Sequence, residues 1–210
     1  MRVVVVRLGY NDFHFYIKSF KSECLKLYYN YLCIMRTEGK KIILFDMDMT
    51  LVDSSIAKQY GKNYKEVQKH ISEFSVFEDV KEVIEQLSEE HLIYIVSGNV
   101  GSTVKKVIQY FNLNIPLENV YGYRQGYPME NLARKKKVMQ VAVDSILQTH
   151  HILKSDIIYI GDEVDDYKAC LEYGVEFVGC LWGNEELKQI SEICTINHPK
   201  EIFDIISSVV

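Results

Sequence analysis

Short, almost unbroken apolar runs alternate with longer amphipathic stretches through most of this 210-residue chain, and that alternation leaves few folds open. Ile42-Ile43-Leu44-Phe45, Leu92-Ile93-Tyr94-Ile95-Val96, the weaker Asn119-Val120-Tyr121, Ile157-Ile158-Tyr159-Ile160 and the stretch from Val175 to Leu181 read as strands. Helical periods near 79–90, 101–112, 134–149 and 164–173 separate them. A strand that is apolar at nearly every position is buried on both faces, and strands joined by helices run parallel. The expectation is an α/β domain over 40–210, a parallel sheet covered on both faces by helices.

Two segments fall outside that rhythm. In 55–75, Ile56, Tyr60, Tyr64, Val67, Ile71 and Phe74 recur at three or four residues, which predicts a short helical insertion, broken at Gly61. Lys58, Lys62, Lys65 and Lys69 fall on its other side and read as a solvated face rather than as cations offered to a substrate. Residues 1–39 form an N-terminal extension in which Phe13, Ile17, Phe20, Cys24, Leu27 and Tyr31 again follow a helical period. This extension is either an extra helix on the domain or lies largely ahead of a true start at Met35, which would bring Asp46 close to the N-terminus.

The net charge of -5 and pI near 5.7 argue against a nucleic-acid binder, which carries a basic surface. Five cysteines, an odd number with no C-x-x-C pair, read as reduced thiols in a cytoplasmic protein. No apolar run reaches the roughly 20 residues that span a bilayer, so no membrane partner is expected.

The chemistry concentrates where the apolar runs end. Asp46 and Asp48 follow Phe45 two residues apart, which sends both carboxylates to one side if strand geometry persists. Ligands of open parallel sheets bind beyond the carboxyl ends of the strands. Carboxylates crowded there repel one another unless a cation or proton separates them, and magnesium prefers such oxygen ligands. A second acidic cluster, Gly161-Asp162-Glu163-Val164-Asp165-Asp166, follows another apolar run, with Asp162 and Asp166 spaced to share a helical face. Ser97 and Gly98 follow Val96 and offer a hydroxyl and backbone N–H groups suited to a phosphate oxygen. Lys135, Lys136 and Lys137 open a helical pattern, and one cation there would offset the negative charge. Spacing to Asp162 favours Lys137, while the period of Val138, Met139, Ala142 and Val143 also suits Lys135.

These residues resemble the motifs of the haloacid dehalogenase-like superfamily, in order: D-x-D-x-T at Asp46 to Thr50, an apolar-Ser motif ending at Ser97, a Lys motif within 135–137, and G-D-x-x-x-D at Gly161, Asp162 and Asp166. The tail from Gly174 to Gly183 resembles the last strand of the phosphoglycolate-phosphatase-like branch, and the resemblance spans about 40–206. It implies a doubly wound, Rossmann-like sheet with a minimal cap insertion. It also implies a magnesium-dependent phosphatase that hydrolyses a phosphate monoester through an aspartyl-phosphate on Asp46. Asp48 would serve as general acid and base. Asp46, the Asp48 carbonyl and Asp162 would hold Mg2+, with Asp166 supporting them. Ser97, Gly98 and Lys137 would bind phosphate. Met49 stands where this branch commonly has Gly.

The insertion is too short for a large cap, so the expectation is either a homo-oligomer or broad specificity toward phosphorylated metabolites or macromolecules. Rival readings are another phosphotransferase of the superfamily, a phospho-receiver domain, or a binding module without activity. Asp48 argues against a dehalogenase, and the placement of acids after the first and fourth strands argues against a receiver.

Overall fold

The computed structural model describes residues 40–61, 63–123, 130–150 and 152–208. The expectations for 1–39, and for Lys62 in the insertion, lie outside the described residues.

Six parallel strands form the sheet. In chain order the strands are β1 (Ile42–Phe45), β2 (Val52–Asp53), β3 (Ser75–Val76), β4 (Leu92–Val100), β5 (Val120–Tyr123), β6 (Ile157–Gly161), β7 (Glu176–Cys180) and β8 (Cys194–Ile196). Strands β2 and β3 pair antiparallel as a separate two-stranded ribbon, and the sheet runs β5-β4-β1-β6-β7-β8. The helices are the single turn α1 (Tyr64–Val67), then α2 (Val80–Glu90), α3 (Gly101–Tyr110), α4 (Asn131–His150), α5 (Val164–Tyr173) and α6 (Ile202–Ser208). The chain builds outward from β1 to β4 and β5, then returns to the other side of β1 with β6. Crossovers on the two sides of β1 leave a crevice at its carboxyl end, where such sheets bind ligands.

The apolar runs become strands because each alternate residue finds a separate core. Ile43, Phe45, Ile93, Ile95, Ile158 and Ile160 point into a layer shared with α2, α3 and α6. Ile42, Leu44, Tyr94, Val96, Ile157 and Tyr159 point into a layer shared with α4 and α5. Each such side chain contributes roughly 1.5–3 kcal/mol by leaving water. The doubly wound α/β expectation therefore holds, and its physical basis is this two-sided burial.

The insertion is broken at Gly61 as expected, but its pieces are not the regular amphipathic helix that the period over 55–75 predicts. It consists of a 3-10 segment at Ser55–Tyr60, the turn α1 and another 3-10 segment at Ile71–Glu73. Gly61 adopts φ 61 and ψ -150, which no helix accommodates, and Asn63 restarts the chain by accepting a hydrogen bond from the Glu66 N–H. Of the apolar residues in the period, only Ile71 and Phe74 are buried. Lys58, Lys65 and Lys69 are exposed, as a solvated face requires. Gln68 ties the insertion to α3: its amide donates to Thr103 Oγ1 at 2.9 Å and accepts from Lys106 Nζ at 2.7 Å.

The sequence reading also missed β8, the strand at one edge of the sheet, and α6, whose Ile202 and Ile206 join the core on one of its faces. No described helix is long and apolar enough to cross a membrane.

Candidate active site

The backbone leaves β1 through Asp46, whose N–H donates to Ile160 O at 2.9 Å and so extends the ladder by one residue. Beyond it the chain turns back sharply. Leu51 and Val52 N–H both donate to Met47 O, at 2.9 and 3.1 Å, and Met49 N–H donates to Val52 O at 2.8 Å. Closing this loop forces Met49 into the left-handed region at φ 55. A non-glycine residue is strained there by about 1–2 kcal/mol, which is the physical reason a glycine suits the position.

Two contacts fasten the loop to the far side of the sheet. Thr50 Oγ1 donates to Asp162 Oδ1 at 3.1 Å, and Trp182 Nε1 donates to Thr50 O at 3.0 Å. Gly183 passes so close that a Cβ would sit 2.1 Å from Met49 O and 2.6 Å from Asp162 Cβ.

Lys135, and not Lys137, is the lysine that reaches these carboxylates. Its Nζ lies 2.6 Å from Asp46 Oδ2, 2.7 Å from Asp166 Oδ1 and 3.7 Å from Glu163 Oε2. The expectation of Lys137 in the site is therefore corrected. Lys137 is exposed and donates to Gln140 on the outer face of α4. Helix phase decides the matter, because Lys135 shares the buried face with Val138, Met139 and Ala142.

Asp166 is fully buried and is also 2.9 Å from the Tyr159 hydroxyl, which in turn lies 2.9 Å from Val96 O. The Glu163 N–H reaches Asp166 Oδ2 at 3.4 Å. Asp166 is thus held from three sides and in turn orients Lys135.

The third wall comes from β4. Its pairing with β5 shifts register between Ser97 and Val100. Such an irregularity re-aims side chains at a strand end. Ser97 is buried, and its Oγ accepts from the Asn99 N–H at 3.2 Å. Gly98 leaves room for the lysine, since a Cβ there would meet Lys135 Cε at 3.3 Å. Asn99 reaches across to donate from Nδ2 to Asp48 Oδ2, while Ser54 Oγ donates to Asp48 Oδ1 at 2.5 Å. Both carboxylate oxygens of Asp48 are therefore fixed. Asp46, Asp48, Ser97, Gly98 and Lys135 share one pocket, together with Asn99, Asn131, Arg134 and Glu163.

The electrostatics are those of a cluster short of positive charge. Burial, reinforced by the Asp46 and Asp166 charges, pushes Asp162 up to about 8. Burial, with Asp46 adding to it, pushes Asp48 up to about 6. Burial also raises Asp166, with Lys135 opposing. Lys135 loses by burial, yet the Asp166, Asp46 and Glu163 carboxylates more than reverse this and hold its pKa well above the ordinary value. Asp46 Oδ1 is buried with no hydrogen-bond partner among the described residues. Asp46, Asp162 and Asp166 each offer a carboxylate oxygen within 4.8 Å of the others. An orphaned carboxylate oxygen beside two more carboxylates, with no His or thiolate in the set, fits a hard divalent cation. Because Asp166 Oδ1 is already engaged by Lys135 and Tyr159, Asp46 and Asp162 suit direct ligation better.

Sequence reasoning missed several contributors. Asn99 follows Ser97 by two residues, and Ser54 follows Asp48 by six, so proximity was a usable signal for both. Tyr159 and Arg134 carried none: one sits in an apolar run, the other beside a row of lysines.

A Rossmann-like sheet with acids at two strand ends and a buried lysine between them defines the hydrolase class to which this chain is assigned. A family model described as haloacid dehalogenase-like hydrolase matches residues 54–180, and the chain belongs to that family. Asp46 and Asp48 lie just ahead of the matched span.

Comparison with curated proteins found no match. Solved structures share the fold. A haloacid dehalogenase-like family hydrolase from Streptococcus pneumoniae is 22% identical, with a TM-score of 0.61 over 80% of this chain and 99% of its own. A protein described as a predicted phosphatase from Clostridium acetobutylicum is 18% identical, with a TM-score of 0.63 over 80% of this chain and 99% of its own. A phosphoserine phosphatase carrying a phospho-aspartyl intermediate analogue is 19% identical, with a TM-score of 0.56 over 79% of this chain and 98% of its own.

Proposed function

We propose that this protein is a magnesium-dependent phosphatase that hydrolyses a phosphate monoester through a covalent aspartyl-phosphate on Asp46. The observation that carries this reading is the Asp46 carboxylate. One oxygen is pinned by Lys135 at 2.6 Å, and the other is buried without a partner among the described residues. A buried orphan acceptor is costly and calls for an electrophile or cation. The neighbouring structure catalogued with a phospho-aspartyl analogue shares the fold, which supports the choice of nucleophile.

In the first step an Asp46 oxygen attacks phosphorus and the bond to the ester oxygen breaks, with Asp48 delivering a proton to the departing alkoxide. In the second, Asp48 takes a proton from water as the water oxygen attacks phosphorus, and the acyl-phosphate bond breaks to release inorganic phosphate. Asp48 suits both roles because its pKa, raised by burial to about 6, lies near the pH at which it must give and take a proton. Ser54 and Asn99 fix its two oxygens. Lys135 keeps Asp46 oriented, Asp166 and Tyr159 keep Lys135 in place, and Ser97 with the backbone around Gly98 receives phosphoryl oxygens. Asp46, Asp162 and the Asp48 carbonyl would hold Mg2+, which when bound neutralises the charge that builds on the phosphoryl group.

Phosphorylated metabolites or macromolecules are the substrates proposed, and assembly into a homo-oligomer would supply a larger lid than the 55–75 insertion. Buried free Cys170 and Cys180 agree with a cytoplasmic location.

The test is p-nitrophenyl phosphate turnover by the full chain with magnesium and with EDTA. Turnover should require magnesium, and Asp46→Asn should abolish it while leaving the circular dichroism spectrum unchanged. Undiminished turnover by Asp46→Asn would remove Asp46 from the mechanism.

A further inference from the structure

Arg134 lines the same pocket as Asp46, Asp48 and Lys135, and the hydrolytic steps make no use of it. Its neighbour Lys135 is spent on Asp46 and Asp166. Arg134 makes no ion pair with a carboxylate among the described residues, although Asp46, Asp48 and Glu163 line the same pocket.

Its guanidinium is nevertheless held in place. One terminal nitrogen donates to Asn131 Oδ1, one helical turn earlier, and Cζ stands 5.7 Å from the centroid of the Tyr123 ring. Such a cation-on-ring contact restricts the plane of the group. Nε is buried and has no acceptor among the described residues. With Nε buried, the donors offered are those of the terminal nitrogens left over after Asn131, and a fixed, planar guanidinium of this kind takes a carboxylate or phosphate through charge-assisted hydrogen bonds.

We infer that Arg134 reads a second anionic group on the substrate, so that the preferred ester carries a carboxylate or a further phosphate a short chain away from the scissile phosphate. This rests on the phosphatase reading above. Repulsion from Asp46, Asp48 and Glu163 disfavours such a group elsewhere in the pocket. Among the described residues the insertion does not supply the recognition instead: Lys58, Lys65 and Lys69 are exposed and none lines the pocket. Selectivity is therefore written on α4 of the core domain, one residue before the lysine that orients the nucleophile.

The full chain in excess magnesium is titrated calorimetrically with propylphosphonate, 3-phosphonopropanoate and ethane-1,2-bisphosphonate. These share one phosphonate and differ in a terminal methyl, carboxylate or second phosphonate. At least one of the two probes that carry a second anionic group should bind about tenfold or more tightly than propylphosphonate, the step expected of a charge-assisted contact, and the better of the two identifies the group preferred. Arg134→Gln should bring that ratio close to one. Arg134→Lys, which keeps the charge and loses the fork, should fall between. Equal binding of all three probes by the unsubstituted protein, or a ratio that survives both substitutions, would overturn the assignment. Turnover of p-nitrophenyl phosphate run alongside separates the two readings. Magnesium-dependent turnover with an unaltered ratio sinks the Arg134 proposal alone. A ratio that collapses in a protein without turnover sinks the phosphatase reading and leaves the anion subsite standing.

Discussion

Stripping the protein of divalent cations should make its stability fall as pH rises, the reverse of ordinary acid denaturation, and Asp162 is the chief cause. Burial above all, with Asp46 and Asp166 adding to it and Lys135 opposing, moves this carboxyl from 3.8 to about 8. The folded protein then keeps a proton that the unfolded chain has released. Stability from this group is fully present below the unfolded value of 3.8 and is lost as pH climbs through about 8. One retained proton gives a slope of about 1.4 kcal/mol per pH unit, or roughly 2 kcal/mol between pH about 6 and about 7.5. With only 4% of Asp162 exposed, solvent screening takes little from that figure. In a domain of this size the loss lowers the thermal midpoint by about 4–8 °C. A divalent cation takes the place of the proton, so its stabilising effect should grow with pH. Differential scanning calorimetry of EDTA-treated and magnesium-loaded protein across this window measures both effects, and Asp162→Asn should make the slope shallower, leaving the part due to the raised Asp48 and Asp166 carboxyls. A midpoint for the EDTA-treated protein that stays flat across the window, or a magnesium increment of equal size at its two ends, would refute the reasoning.

Two other perturbations test the packing behind the site. Lys135→Met should cost about 3–5 kcal/mol in urea unfolding of the cation-free protein, because it leaves Asp46 and Asp166 as buried carboxylates without their counter-ion, whereas Lys137→Met should stay within about 0.5 kcal/mol of the parent. Gly183→Ala should destabilise by about 1–3 kcal/mol and lower turnover together, since its Cβ would press on Met49 O and Asp162 and prise the two acidic loops apart; a variant of parental stability and activity would show that the close approach is not needed.

The parts of the fold legible in the sequence are those whose signal is contiguous. Ile42–Phe45 and Ile157–Ile160 announced buried strands because both of their faces are covered, and each ended on the acid that marks the site. The strand Cys194–Ile196 and helix Ile202–Ser208 were missed, being too short for any period to emerge. In the insertion the break at Gly61 was legible, whereas the apolar spacing on either side did not reveal that the pieces are 3-10 segments and a single turn. For the lysine, two sequence signals disagreed. Counting to Asp162 pointed to Lys137, whereas the period of α4 pointed to Lys135, and the period won because the phase of a packed helix decides which side chain enters the core.

By itself, the sequence determined the alternation of strand and helix, the parallel sheet, and the identity of the acids at the tips of β1 and β6. These follow from local periodicity and from residue chemistry adjacent in the chain. Only the tertiary structure decided that Asp46, Asp162 and Asp166 share one space, that Lys135 lies between Asp46 and Asp166, and that Asn99, Tyr159 and Arg134 belong to the same neighbourhood. The reason is geometric. These partners are 4 to 120 residues apart in the chain, and what joins them is strand order, a register shift in β4 and the rotation of α4 about its axis.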